Sequence, residues 1–492
     1  MSHLMEKKIL VFLPTNPAAY PFSQANAFSE LQKHFDVYLV YNKRAVFIDD
    51  VRTEGFTRVM AWDQPIKRKR SWMMFLNMWG HRRATKSFGD SFKRIFQMDM
   101  EQRNWLYRFL FFYLPGFSYR WTSFLLQFIE QWMGEDKTLA KLVDEIKPNL
   151  IIGMLCGYSA YDIDPIKIAQ KRKIPTLYLQ VGWDNIPHRG LLPYKMDYLG
   201  AWGYQSAMFA ELIQGIPKRR IFLMGCPFGE VLREPPKRPS EEIRRTLQLP
   251  LGKKVLFFAG VSHVGNEVGL LDLLEKFIEE GKLPNCCVLY RPHPYRQFTK
   301  NEPNFFERHY KHIYLDPQMK ERFRRHIEEK AYMTGHQERL ERSYAYNREI
   351  LSISSILIAP ISTFVAEALY CGVPSVVVSF VGKDHAKYSI RYDMATNQFY
   401  HAVPGVFNSF SPSDLLAKCR QALSFSENEH RAHIIRSHLN SIAYQDEFSF
   451  AQRIDYAVQS ILNTNGQSLY HYLHDPLIDV EKKENVVESY LS

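Results

Sequence analysis

The chain has 492 residues, and its 63 Lys and Arg against 52 Asp and Glu give a formal net charge of +11. Hydrophobic residues make up 46% of it and charged residues 23%, which excludes a disordered, collagenous or low-complexity chain. The length predicts two or three domains, and the basic excess predicts an acidic partner. No apolar run reaches the roughly twenty residues of a spanning helix. No signal-peptide pattern is visible, so we expect a cytoplasmic protein.

Short apolar runs alternate with helix-like stretches along the whole chain. In the first half they are Ile9–Leu13, Val37–Tyr41, Arg58–Ala61, Leu150–Met154, Thr176–Gln180, Tyr198–Ala201 and Ile221–Met224. In the second half they are Val255–Ala259, Cys286–Tyr290, His312–Leu315, Ile356–Ala359 and Ser375–Phe380. Near-continuous apolar strands separated by helices are typical of parallel sheets covered on both faces. We therefore predict an α/β protein with two Rossmann-like, doubly wound domains facing across a cleft, with helical insertions.

Proline density marks the boundary between the two series of strands. Residues 226–252 contain five prolines and read as a linker with one short helix. The first domain is therefore placed at residues 6–225 and the second at 253–439. A helix at 440–462 could return to the first domain, and residues 463–492 form a polar tail.

Two segments interrupt the strand–helix alternation. Residues 67–132 are rich in Trp, Phe and Met, and within them Lys67–Arg108 carries eleven basic and three acidic residues, a net charge of +8. Basic residues interleaved with aromatic ones favour contact with an anionic membrane surface, so we expect the protein to be peripheral on the inner membrane. We expect no nucleic-acid binding. A helical excursion that packs its aromatic residues on the domain stays open. Residues 317–348 are charge-mixed and predict a solvated helical face or a self-association helix.

The segment ILIAPISTFVAEALYCGVP, residues 356–374, joins an apolar strand to a helix. Ser362 and Thr363 stand at the helix start, where N–H groups and the positive end of the helix dipole bind phosphate readily. Glu367 lies about one turn further, where a carboxylate could accept a hydrogen bond from a ribose hydroxyl. In the alternative, Ser362 only caps the helix and Glu367 faces solvent.

Three further loops follow predicted strands. In RPHPYR, residues 291–296, Arg291, His293 and Arg296 could contact a diphosphate or a base at the carboxyl edge of the sheet. In AGVSHVGNE, residues 259–267, Gly260 and Gly265 allow close backbone approach to a ligand, and His263 and Glu267 are polar candidates beside it. No dinucleotide or Walker fingerprint is present there.

The fourth loop, WDN, residues 183–185, follows a strand of the first domain. Asp184 there is a candidate general base for an incoming hydroxyl group. A simple Asx-type turn with surface charges is the alternative.

Together these motifs resemble the GT-B glycosyltransferases of bacterial surface-polysaccharide assembly. The His-Pro and Ser/Thr pairing is similar to that of CDP-glycerol glycerophosphotransferases, bacterial polysialyltransferases and capsule Kdo transferases. The resemblance implies that the second domain binds a nucleotide-sugar donor, with His293, Ser362 and Thr363 at its phosphates and Glu367 at its ribose. The first domain would hold a glycan or lipid-linked acceptor, with Asp184 or His263 near the reacting carbon.

The same resemblance sets the alternatives. The similar non-hydrolysing UDP-N-acetylglucosamine 2-epimerases usually show Ser-Gly-Gly and paired Glu where this chain has Ile361-Ser362-Thr363 and Ala366-Glu367, which disfavours an epimerase. A CDP-polyol phosphotransferase and a non-catalytic binding protein stay open. No DxD-like motif stands at a strand end, so we expect a reaction that needs neither a metal nor another cofactor. The predicted function is transfer of a sugar from a nucleotide-activated donor during cell-surface polysaccharide synthesis.

Overall fold

The structure is a computed structural model that describes residues 7–63, 105–106, 109, 119–155, 160–183, 186, 194–212, 214–261, 267–293, 304–329, 343–380 and 399–464. The chain divides into two compact units. The first unit is formed by residues up to Glu230 together with those from Asn440 onward, and the second by Val231–Leu439.

Each unit is built on one parallel sheet. The first sheet has the order β3-β2-β1-β4-β5-β6-β7 and is formed by β1 (Lys8–Leu13), β2 (Asp36–Asn42), β3 (Arg58–Trp62), β4 (Leu150–Leu155), β5 (Thr176–Gln180), β6 (Tyr198–Ala201) and β7 (Ile221–Leu223). The second has the order β10-β9-β8-β11-β12-β13 and is formed by β8 (Lys254–Ala259), β9 (Cys286–Arg291), β10 (Ile313–Leu315), β11 (Ser354–Ala359), β12 (Ser375–Val378) and β13 (Val406–Ser409). Both sheets follow the doubly wound strand order 3-2-1-4-5-6, the first with one strand added.

Helices connect the strands. In chain order they are α1 (Asn16–Gln24), α2 (Leu31–His34), α3 (Tyr119–Met133), α4 (Lys137–Ile146), α5 (Ala160–Arg172), α6 (Tyr204–Leu212), α7 (Gly229–Arg233), α8 (Ser240–Thr246), α9 (Glu267–Glu279), α10 (Pro317–Glu329), α11 (Tyr344–Ile353), α12 (Thr363–Tyr370), α13 (Pro412–Ser426), α14 (Arg431–Ser437) and α15 (Phe450–Thr464). Short 3₁₀ turns are found at Ile48–Asp50, Lys218–Arg220, Phe305–Glu307 and Leu439–Ser441.

The inner strands of both sheets are largely apolar because both of their faces are covered. In β1, Ile9 and Val11 join a core on one face, and Leu10 and Phe12 join a separate core on the other. The first of these cores also receives α15, and the second receives α4 and α5. Two-sided burial explains the continuous apolar runs of the sequence. The predicted α/β class with two Rossmann-like, doubly wound domains is confirmed.

Some elements differ from those predicted from the sequence. Strand β13 was not predicted, because its four residues, Val406–Ser409, contain only two large apolar side chains. Residues 317–348 were predicted to form a solvated helical face or a self-association helix. In the structure α10 exposes Lys320, Arg324 and Glu328 and buries Phe323 in the core of the second unit. The spacing of Met319, Phe323 and Ile327 by four residues is the signal of a core-facing helix. One side of α10 is therefore packed on the core, and its charged side is exposed.

The ends of the predicted domains also differ from the structure. The predicted linker contains two short helices, α7 and α8, and from Val231 onward it belongs to the second unit. The last helix begins at Phe450 rather than Asn440. A capping box sets that start: the Ser449 hydroxyl accepts from the Gln452 N–H (3.2 Å), and the Gln452 side chain accepts from the Ser449 N–H (2.8 Å).

Helix α15 completes the first unit. Phe450, Ile454, Val458 and Ile461 pack against the sheet of β1 and β4, each contributing about 1.5–3 kcal/mol by burial. The buried Arg453 donates to the Met224 carbonyl (2.9 Å) at the end of β7 and to the Asp446 carboxylate (2.6 Å). No helix within the described ranges combines the length and the apolar character needed to span a membrane.

Candidate functional site

Three of the predicted loops leave adjacent strands of the second sheet. In the strand register Ala259 of β8 pairs with Arg291 of β9, and Phe258 of β8 pairs with Ile358 of β11. At about 4.8 Å between strands, the RPHP loop, the Gly260 loop and the Ser362 loop therefore begin within roughly 10 Å of one another. The strand order reverses between β8 and β11. Such a switch point at the carboxyl edge is where ligands bind in doubly wound sheets.

Ser362 is the N-cap residue of α12. Its backbone is extended (φ −160°, ψ 171°), and its carbonyl accepts from the Val365 N–H (3.0 Å). Its hydroxyl oxygen is enclosed, caps no N–H of the helix and has no hydrogen-bond partner among the described residues. The first turn of α12, which Thr363 begins, contains no acidic residue. The alternative in which Ser362 serves only as a side-chain cap is therefore wrong.

Glu367 is buried, with 5% of its surface exposed. The Asn347 side-chain amide of α11 donates to Glu367 Oε2 (2.7 Å). The alternative in which Glu367 faces solvent is therefore wrong. Its carboxylate is held beneath the first turns of α12 by a residue from a different helix.

Arg291 extends the same network. Its Nη1 donates to Asn347 Oδ1 (2.7 Å), and its Nε lies 3.4 Å from Asp316 Oδ2, an ion pair in which Asp316 is fully buried. The guanidinium lies over the Tyr346 ring, 5.2 Å from its centroid, and the Tyr346 hydroxyl donates to Asp316 Oδ1 (2.7 Å). Burial and the charge of Asp316 raise the pKa of Tyr346, so the phenol keeps its proton at neutral pH and can donate this hydrogen bond. These contacts with Asn347, Asp316 and Tyr346 hold the Arg291 side chain in place.

Gly260 makes room for a buried carboxylate of the protein. A Cβ at this position would lie 2.6 Å from Glu267 Oε2, so only glycine leaves room for that carboxylate. Glu267 is fully buried and accepts from the Val261 N–H (2.9 Å) and the Tyr290 hydroxyl (2.7 Å). The close approach that Gly260 permits among the described residues is therefore to Glu267, which fixes the end of β8 against β9 and α9.

The remaining predicted donor residues divide into two groups. His293 lies two residues beyond the end of β9, half-buried, after the buried Pro292. Arg296, His263 and Gly265 lie outside the described residues.

In the first unit, Asp184 also lies outside the described residues, but the chain on both sides of it is anchored. The buried Gln180, at the end of β5, donates to the Gly182 carbonyl (2.8 Å) and the Trp183 carbonyl (3.2 Å) and accepts from the Trp202 N–H (3.0 Å). Gln214 donates to the Ile186 carbonyl (3.1 Å). The switch point of this sheet lies between β1 and β4, so the WDN loop leaves the strand next to it.

Asn347, Asp316 and Gln180 were not predicted from the sequence. Asn347 is 56 residues from Arg291 and 20 from Glu367, and no local pattern marks it. Asp316 is recognisable in retrospect: it follows β10, and its carboxylate accepts from the Gln318 N–H (3.0 Å) at the start of α10, the pattern of an N-cap residue.

The comparisons with known proteins concern the fold. No protein-family model and no curated protein matches the sequence. A solved structure described as a "putative UDP-N-acetylglucosamine 2-epimerase" from Listeria monocytogenes matches with a TM-score of 0.52 and 12% identity, covering 93% of this chain and 96% of that one. A second UDP-N-acetylglucosamine 2-epimerase matches with a TM-score of 0.51 and 12% identity, covering 92% and 95% of the two chains.

A glycosyltransferase from Rickettsia africae matches with a TM-score of 0.48 and 10% identity over 93% of this chain and 99% of that one, a similarity too low to carry an argument. At such identities the likeness concerns the fold alone. The chain has a GT-B-like fold.

Proposed function

We propose that the second unit binds the nucleotide of an activated sugar and that the protein is a glycosyltransferase. The observation that carries this proposal is the start of α12. A helix N-terminus with no acidic residue in its first turn and with an enclosed serine hydroxyl that caps nothing among the described residues suits a phosphate group. It stands at the switch point of the sheet, where the fold directs ligands.

In this proposal the Ser362 hydroxyl and the first N–H groups of α12 bind the donor phosphates, with Thr363 beside them. Glu367 accepts from the ribose, and Asn347 holds its carboxylate in place. Arg291 is a positioning residue, because Asp316 and Asn347 already engage its guanidinium and so fix the start of the RPHP loop.

The reaction would break the bond between the anomeric carbon and the phosphate oxygen and form a bond to an acceptor hydroxyl. The departing phosphate gains negative charge, which the α12 N-terminus, His293 and Arg296 would stabilise. Asp184 or His263 would take the proton of the acceptor hydroxyl. We propose a glycan or lipid-linked acceptor, used at the cytoplasmic face of a membrane during surface-polysaccharide synthesis.

A nucleotide-sugar epimerase is the second candidate, because two of the matching structures, with TM-scores of 0.52 and 0.51, are described as a putative UDP-N-acetylglucosamine 2-epimerase and a UDP-N-acetylglucosamine 2-epimerase. Against it, Ile361-Ser362-Thr363 stands where those enzymes usually have Ser-Gly-Gly. Both candidates need a nucleotide-sugar site. A transferase also needs a site for an acceptor, whereas an epimerase does not.

The donor site is tested by calorimetric titration of UDP-, GDP-, CDP- and CMP-sugars into the full-length protein. We expect one nucleotide class to bind and Ser362→Ala to weaken it about tenfold, the effect of one hydrogen bond to a charged group. Ser411→Ala is the matched control, because Ser411 starts α13 in the same unit, and it should bind like the wild type. The proposal fails if no nucleotide sugar binds, or if Ser362→Ala, His293→Ala and Glu367→Ala all bind normally.

The reaction class is tested with the donor that binds. A transferase consumes it only when an acceptor is present and releases the nucleotide. An epimerase converts the sugar with no acceptor, which NMR of the mixture would show and which would overturn the transferase assignment. Release of CMP with phosphate retained in the product would instead identify a polyol-phosphate transferase.

A further inference from the structure

Helix α3 carries an exposed aromatic stripe. Phe124, Phe128 and Trp132 follow one another at intervals of four residues and are 58%, 60% and 75% exposed. This spacing places them along one face of the helix. Gln127 and Gln131, also exposed, flank the stripe. Among the described side chains of this helix, the outward face therefore contains aromatic rings and neutral amides, where a solvated helix face usually carries charges.

The opposite side of α3 is held in place. Glu130 is fully buried and accepts from Lys167 of α5 (2.9 Å), whose side chain is only 8% exposed. The same ammonium group donates to the carbonyls of Glu130 (2.7 Å) and Gly134 (2.5 Å). Separating this buried pair would leave a desolvated charge, so α3 cannot readily rotate to bury its aromatic stripe. The stripe is a fixed surface.

More exposed apolar side chains lie nearby in the sequence. Trp105, Leu106 and Phe109 are 75%, 42% and 49% exposed. Six of the eleven large apolar side chains that are exposed in the described part of the chain thus fall between residues 105 and 132. Such a concentration in one stretch of the sequence is unusual, since single scattered apolar residues are the normal case at a protein surface.

The charge of the sequence identifies the partner. Lys67–Arg108, the segment that leads to α3, has a net charge of +8. A second copy of this chain would bring the same positive charge to the contact, and the repulsion disfavours self-association. An anionic bilayer has the opposite charge and an interfacial zone that accommodates Trp and Phe rings.

We propose that the outward face of α3 docks on an anionic lipid bilayer. The helix lies in the membrane plane with Phe124, Phe128 and Trp132 among the lipid headgroups and upper acyl chains, a depth of about 5–10 Å. Electrostatic attraction by the preceding basic sequence strengthens the contact. This surface belongs to the first unit, and its function does not depend on the donor site of the second.

The test is flotation of the full-length protein with phosphatidylcholine vesicles that contain about 30% phosphatidylglycerol, and with phosphatidylcholine alone. We expect binding to the anionic vesicles only. The triple variant Phe124→Ser, Phe128→Ser and Trp132→Ser should bind them at least about tenfold more weakly, because three buried rings are lost. Phe448→Ser is the matched control, since Phe448 is 49% exposed in the same unit, and it should bind like the wild type.

A second variant, Phe128→Glu, keeps the test decisive if the triple variant does not fold. It places one negative charge in the stripe and should also lose binding. The proposal is overturned if the wild type ignores anionic vesicles or if folded variants float like the wild type. It is equally overturned if light scattering shows a lipid-free dimer that Phe128→Glu dissociates, because a second copy would then cover the face.

Discussion

Two helices of the second unit begin in the same way and use that beginning differently. Ser362 starts α12 and Ser411 starts α13, each after a strand of the same sheet and with nearly the same extended backbone (φ −160°, ψ 171° and φ −155°, ψ 165°). The Ser411 hydroxyl accepts from the Asp414 N–H (3.1 Å), and the Asp414 carboxylate accepts from the Phe410 N–H (2.9 Å). The Ser362 hydroxyl accepts from no N–H of its helix, and no acid stands in the first turn.

The difference separates a structural helix start from one suited to a ligand. At α13 the protein satisfies the terminal N–H groups with its own side chains and opposes the positive end of the helix with Asp414. At α12 it forgoes about 1 kcal/mol of capping energy and leaves the positive end uncompensated by an acid in the first turn. Departures from local optimality of this kind are expected where a site is built.

The strongest way to break the comparison is to add an acid at both starts. Ser362→Asp should abolish nucleotide-sugar binding, a loss of at least about a hundredfold, because a carboxylate would repel the donor phosphates. Its thermal stability should stay the same or rise, since Asp is a good N-cap residue. Ser411→Asp should change neither quantity. Titration calorimetry and thermal unfolding measure both, and normal donor binding by folded Ser362→Asp would remove phosphate from this helix start.

The next effect concerns the buried network behind α12. Asn347→Leu removes the hydrogen bonds to Arg291 and Glu367 and should lower the free energy of unfolding by about 2 kcal/mol, because both charged groups lose a buried partner. Urea denaturation measures the loss. Ser352→Ala on the same helix is the control, since among the described residues its hydroxyl donates to the Glu349 carbonyl within α11 and takes no part in the network. Equal stability of the two variants would show that the network contributes little.

A smaller effect separates the two serines directly. Ser411→Ala should cost about 1 kcal/mol of stability and leave donor binding unchanged. Ser362→Ala should cost clearly less stability, because no cap is lost, while weakening donor binding. Denaturation curves of the two single variants give the order, and a larger loss of stability for Ser362→Ala would contradict the distinction between the two starts.

The smallest predicted effect concerns a property that α12 and α13 share, a cysteine thiol with a raised pKa. Burial raises the pKa of Cys371, at the end of α12, to about 12, and that of Cys419, within α13, to about 12. The native state therefore keeps both thiols protonated while the unfolded chain ionises them near pH 9, so stability is fully present below pH 9 and falls as the pH rises towards 12. Between pH 7 and 9 the loss should stay below about 1 kcal/mol.

The variant Cys371→Ala with Cys419→Ala supplies the control for that pH dependence. Its urea midpoint should fall less steeply than that of the wild type above pH 8. Parallel slopes would mean that other groups cause the alkaline loss.

Most of the fold could be predicted because each buried strand is an uninterrupted apolar run. β13 was missed because Asn408 and Ser409 interrupt its pattern, and the start of α15 was misplaced although Ser449 and Gln452 mark it locally. At the candidate site, sequence motifs predicted the three loops of the second sheet but not what Gly260 and Arg291 contact. Those contacts depend on Glu267, Asn347 and Asp316, whose roles are not visible in any short motif.

The amino-acid sequence by itself determined the α/β class, the two domains, the order of the motifs along the chain and the concentration of positive charge before α3. These properties depend on local composition and periodicity, which act over a few residues. Only the tertiary structure decided that Ser362 does not cap its helix, that Glu367 is buried against Asn347, and that α3 presents an aromatic stripe. The contacts of Ser362 and Glu367 depend on side chains that packing brings together, and the exposure of the α3 stripe depends on which side of the helix packs on the protein, so no local pattern records them.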